Sequence, residues 1–204
     1  MRGGGLFKWA GSLRRTISVI LFTIHFSILT TGCKLFSLRN PETEEGSVVN
    51  TPHSFTELLN VFKESIMAGN INQYEMLLSD SFRFRVCDRI YYSNPEFYNH
   101  WNKQMEINTM RNLFLALSRN ESYPVFFENY SIQAIDTAES DTQLARIEYR
   151  IHFAFTSDEV DTVCGYMDIK GVRNFENWQV DSIYDYSVDE DPCLSDVKVR
   201  FLSK

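Results

Sequence analysis

Glycine and proline are scarce in this chain, 9 and 5 of 204 residues, which excludes collagen-like and low-complexity architectures. Excess positive charge is also missing. Asp and Glu number 27 against 20 Lys and Arg, a formal net charge of −7, whereas a general nucleic-acid binder would show a basic patch. The four cysteines contain no C-x-x-C pair, so nothing points to a zinc ribbon or a thioredoxin-like motif. His25, His53, His100 and His152 form no i, i+4 pair of the kind that holds a metal on a helix. The chain also lacks a Gly-x-Ser-x-Gly nucleophile elbow and a Gly-rich phosphate loop. No cofactor is therefore expected. Aromatic residues, by contrast, are abundant: 16 Phe, 10 Tyr and 3 Trp. A chain of this length and aromatic content can bury a sizeable core in one domain.

Residues 1–32 contain Arg2, Lys8, Arg14 and Arg15 and no acidic residue. The apolar stretch Thr16–Leu29 that follows would extend about 21 Å as a helix, short of the ~30 Å hydrocarbon core of a bilayer. A basic head, a short apolar run and small residues behind it make a secretory signal. Leu29-Thr30-Thr31-Gly32-Cys33 resembles the bacterial lipobox, with Thr30 standing where Leu is usual. The resemblance implies cleavage after Gly32 and lipidation of Cys33, and more than one acyl chain there would anchor the protein stably. Lys34 is not the Asp that resembles an inner-membrane retention signal, which implies the periplasmic side of an outer membrane. Cleavage would remove four cationic residues and no acid, taking the net charge from −7 to −11. An anionic membrane surface would repel such a domain, so the lipid must do the tethering. Residues 33–53 read as the lipidated Cys and a polar tether. Cys87, Cys164 and Cys193 are an odd set, so at most one disulfide can form among them. Cys193 bonded to either Cys87 or Cys164 would pin the tail, 188–204; three free thiols is the other reading.

Ser54 and Glu57 fit a capping box, and Phe55, Leu58, Leu59, Phe62 and Ile66 follow at helical spacing before Gly69. A short second helix carries Ile71, Tyr74 and Leu77. Phe82, Phe84 and Val86 alternate with Arg83 and Arg85 as a strand would. Pro95 is well placed to open a third helix running to about Leu117. From Val125 the period becomes two. Ala145, Ile147, Tyr149, Ile151, Phe153 and Phe155 form an apolar set against Arg146, Glu148, Arg150 and His152. A turn is expected at Gly171–Asn174, before a last strand with Trp178, Val180 and Tyr184 facing the core. The fold class is α+β, with three N-terminal helices packed on a curved, mostly antiparallel sheet over residues 54–187.

FTELLNVFKESIMAGNINQYEMLLSDSFRF, Trp101 with Glu106 and Leu113-Phe114, and Asn177-Trp178-Gln179-Val180 with Asp185 resemble the nuclear transport factor 2-like (NTF2-like) superfamily, which includes SnoaL-like and steroid-isomerase-like proteins. The resemblance implies a cone with a pocket between sheet and helices. Such pockets serve isomerisation, dehydration, epoxide hydrolysis or no catalysis at all, so the fold leaves function open. An enzyme of this kind needs a tuned acid or base in the cone, with a hydrogen-bonding partner in reach. Glu106 and Asp168 are the candidate bases. Asp181 and Asp185 are further carboxylates, and Tyr149 and Tyr166 are candidate donors. Phe84, Trp101, Phe114, Tyr149 and Phe153 would line the cone or fill it. The leading expectation is a lipid-anchored envelope protein with a non-catalytic binding or scaffold domain. Its partners would be a small apolar ligand, a second copy or another envelope protein, and not nucleic acid. The alternative is a small isomerase- or dehydratase-type enzyme.

Overall fold

The computed structural model describes residues 50–117, 124–139, 141–156 and 158–202. Helix α1, Phe55–Met67, starts where the Ser54 side chain accepts a hydrogen bond from the Glu57 N–H, and it buries Phe55, Leu58, Leu59, Phe62 and Ile66. The Glu57 carboxylate reaches back to the N–H of His53, closing the cap one residue earlier than the usual reciprocal box. Gly69, at φ +60°, lets the chain leave the helix in the left-handed region. Asn70 caps α2, Ile71–Leu77, which leads directly into β1, Leu78–Arg85.

Two short helices follow, α3 at Asp88–Tyr91 and α4 at Pro95–Tyr98, before α5 at Lys103–Ala116. The sequence predicts one helix across the last two, and the structure breaks it at residues 99–102. The reason lies on β1. The N–H of Phe84 donates to the Trp101 carbonyl and Asn102 bridges Arg83, so this segment covers the free edge of β1 instead of coiling. Asn102 then caps α5 through the Met105 N–H.

Strands β2 (Val125–Glu139), β3 (Thr142–Ala154), β4 (Val160–Asn174) and β5 (Asn177–Ser187) form an antiparallel meander. β1 joins β5 in parallel, giving the order β1-β5-β4-β3-β2. Ala145, Ile147, Tyr149, Ile151 and Phe153 are buried on β3, as the alternation predicts. The turn after β4 falls at Phe175 and Glu176, where Phe175 has φ 58°, and not at Gly171. Gly171 lies within β4, and a Cβ there would meet the Phe55 ring at 2.5 Å. This glycine serves the close approach of α1 to the sheet.

The register of β4 against β5 shifts between Lys170 and Gly171. This bulge places an extra residue, Asp181, on β5 and reverses the parity of everything after it. Trp178 and Val180 face the core as expected. Tyr184 does not: it is 38% exposed, and Asp185 is buried in its place. The stretch set aside as a tail contains a further helix, α6, at Leu194–Arg200. It packs against α5 and β4, burying Leu194, Ser195, Val197 and Lys198.

Candidate functional site

The interior of the cone carries two buried polar clusters, and α6 contributes to both. The first centres on Glu106, one turn into α5 and fully buried. Its Oε1 accepts from the Tyr74 hydroxyl at 2.5 Å and from Lys198 Nζ at 2.6 Å. Its Oε2 accepts from Trp101 Nε1 at 2.8 Å. The Lys198 ammonium also sits 3.6 Å from the centre of the Phe84 ring, a cation–π contact in a desolvated setting. Burial lowers the Lys198 pKa, opposed by the Glu106 carboxylate. Burial and then Glu106 raise that of Tyr74.

The second cluster centres on Asp185, which the bulge turns inward. Its Oδ1 accepts from the Tyr149 hydroxyl at 2.6 Å, and its Oδ2 accepts from the N–H of Ser195 at 2.7 Å and from the Ser195 hydroxyl. Tyr149 accepts in turn from the Leu194 N–H, and the Ser195 Oγ accepts from the Cys87 N–H at 3.0 Å. Burial raises the Asp185 carboxyl pKa, against the hydrogen bonds from Ser195 and Tyr149. Burial and then Asp185 push the Tyr149 phenol up. Gly165 makes this arrangement possible: Tyr149 lies directly opposite it across β3 and β4, and a Cβ there would meet the Tyr149 hydroxyl at 2.7 Å.

The structure thus places Glu106, Trp101, Phe84 and Tyr149 together inside the cone, with Phe153 also buried. Phe114 is half-buried and packs edge-on against Tyr74. Asp168 belongs to the other face of the sheet. Its neighbours Met167 and Ile169 point inward, and its carboxylate takes two hydrogen bonds from Arg146, at 2.7 and 2.6 Å. It has no access to the cone and cannot act as a base there. Asp181 pairs with Lys170 at 3.0 Å and accepts from Ser81. Tyr166, two residues before Asp168 on β4, shares its outward parity. Cys33 lies outside the described residues.

Ser195 and Lys198 are the site residues that sequence reasoning missed. Leu194, Val197 and Phe201 recur at helical spacing in that stretch. Its start, however, is a cysteine whose N–H is taken up by Asp196, and cysteine is not a cap signal. Cys87, Asp185 and Cys193 offer ligand atoms within 4.8 Å of one another. Both oxygens of Asp185 are already engaged, and a structural zinc site wants four ligands. A cleft of 390 Å³ beside α6 is lined by Arg89, Asp161, Glu190, Asp196 and Arg200 among others. Val163, Pro192 and Val197 also line it, and four of its charges are paired within the lining, Arg89 with Asp196 and Arg200 with Asp161.

Solved structures share this fold. A conserved protein from Planctomyces limnophilus superposes with a TM-score of 0.53 at 13% identity, over 65% of this chain and 92% of that one. A protein from Novosphingobium aromaticivorans assigned as an aromatic ring hydroxylase gives 0.52 at 12%, over 70% and 92%. An NTF2-like protein from Rhodospirillum rubrum gives 0.49 at 11%, over 67% and 99%. The fold is NTF2-like. At such identities the likeness concerns fold alone, and NTF2-like cones serve unrelated purposes. Neither a protein-family model nor a curated protein matches the chain.

Proposed function

We propose that this chain is a lipid-anchored protein of the cell envelope whose NTF2-like domain is a non-catalytic binding or scaffold module. The observation that carries the non-catalytic reading is the state of Glu106. Both of its oxygens are engaged by Tyr74, Trp101 and Lys198, and one of those partners arrives on the chain's own α6. General-base catalysis requires a carboxylate within reach of a substrate proton, and α6 occupies the space a substrate would need. An isomerase- or dehydratase-type reaction at Glu106 therefore has little geometric support. A second copy or another envelope protein would meet the domain on its outer sheet face. Tyr184 and Tyr186 are both exposed there.

The anchor rests on the basic head, the short apolar run and Cys33, with the outer membrane as its destination. Among the described residues no helix is long and apolar enough to cross a membrane. Two measurements test the proposal. A palmitate analogue fed to cells labels the chain and not the Cys33→Ser variant; label persisting in the variant overturns the anchor. An amine-reactive acyl reagent applied to the native full chain modifies Lys170, which is partly exposed, and spares Lys198, whose side chain is 1% exposed. Equal modification of the two overturns the closed cone.

A further inference from the structure

We propose that Cys87 and Cys193 form a disulfide that fastens α6 onto the cone. The two sulfurs lie 2.8 Å apart although the residues are 106 positions apart in sequence. Both residues are fully buried. Their backbones are already tied together from both sides. The Cys87 N–H donates to Ser195 of α6. The Cys193 N–H donates to the Asp196 carboxylate at 2.8 Å, and Arg89, two residues beyond Cys87, grips that carboxylate at 2.6 Å. The pair therefore needs only small side-chain adjustments to reach bonding geometry, in which S–S is about 2.05 Å.

Cys164 is not a competitor. Its Sγ donates to Asp191 at 3.4 Å on the partly exposed side of β4. A metal held by the two thiols and Asp185 is the other use of the cluster, but Asp185 already accepts from Tyr149 and twice from Ser195.

The bond forms by thiol–disulfide exchange with a small disulfide such as oxidised glutathione. One cysteine loses its proton to solvent and attacks the glutathione disulfide, releasing one glutathione thiolate and leaving a mixed disulfide. The other cysteine, deprotonated in turn, displaces the second glutathione. The protein dithiol gives up two electrons and two protons, and glutathione disulfide is reduced to two thiols. Because both sulfurs are buried, exchange requires α6 to be undocked, as it is during folding.

In the cell the oxidant would come from an oxidising compartment, as the envelope reading supplies. The test provides its own, so its failure would leave the anchor untouched. The full chain is reduced, unfolded and refolded in a glutathione redox buffer, then denatured in acid, alkylated, digested and analysed by mass spectrometry. The expected product links the Cys87 and Cys193 peptides and leaves Cys164 alkylated. The same link persists in Cys164→Ser. Reduction lowers the midpoint of thermal unfolding by on the order of 10 °C, given the long loop that the bond closes. The Cys87→Ala/Cys193→Ala variant loses this sensitivity to reductant. Alkylation of both Cys87 and Cys193, a link from either one to Cys33 or Cys164, an unchanged midpoint on reduction, or stoichiometric zinc held by the two thiols would each overturn the proposal.

Discussion

Glu106 and Lys198 decide what the cone can do. A buried ion pair stabilises only modestly compared with an apolar replacement, yet removing one partner leaves an uncompensated charge and costs about 3–5 kcal/mol. Lys198→Met is therefore expected to destabilise the chain by about that amount in chemical denaturation. Adding Glu106→Gln to it should recover most of the loss, because a neutral amide no longer needs the ammonium. If the double variant were as unstable as the sum of the singles, the two groups would be acting separately. Asp185 adds a pH signature. Its folded pKa is raised above the unfolded value of about 3.9. Between those two values the native state binds more protons than the unfolded one, so stability falls as pH rises through that window. Asp185→Asn removes that slope, whatever it does to absolute stability. A slope unchanged in the variant would assign the titration to another group. Lys198 has the opposite sign on the alkaline side. Its folded pKa is lowered, so its contribution rises with pH up to the unfolded value near 10.4.

Among the elements, β4 and β5 carry the most consequential departures from simple alternation. Gly165 leaves room for Tyr149 to reach across the sheet to Asp185, and a Cβ would also clash with the Tyr186 carbonyl. Gly165→Ala is expected to cost about 1–3 kcal/mol by overpacking, with loss of the Tyr149–Asp185 hydrogen bond. Hydrogen-bond loss would show as a Tyr149 phenol titrating closer to its ordinary value, and an unchanged phenol would contradict the geometry. β3 was legible from sequence because its alternation is uninterrupted and its two faces meet different environments. β5 was legible only as far as Val180. A bulge has no residue signature of its own, and period-two counting carried across Asp181 puts Tyr184 inside and Asp185 outside, the reverse of what is found. The single helix expected from Pro95 failed for a different reason. The spacing is compatible with a helix, but pairing along the β1 edge captures residues 99–102, and that competition is invisible in local sequence. The facing of Glu106 cannot be read locally, because its neighbours Met105 and Ile107 are both apolar. The partner that settles its environment, Lys198, lies 92 positions away. Cysteine at the N-cap and a lysine on the buried face both disguise α6 as a tail.

For the domain as a whole, the five strands and helices α1–α5 make an NTF2-like cone, and α6 closes it. Docking of α6 satisfies Glu106 and Asp185 at once, so the closed state is coupled to both polar clusters and to the Cys87–Cys193 junction. A helix of seven residues is too short to be stable alone in water. Its order is therefore a direct report of docking. Amide hydrogen exchange of Leu194–Arg200 in the native full chain, followed by mass spectrometry, measures it. A closed cone predicts that these amides are protected to an extent approaching that of β3 and β4, opening only with the domain. Exchange at the rate of an unstructured peptide, with β3 and β4 still protected, would contradict the closed cone and return Glu106 to the list of accessible bases.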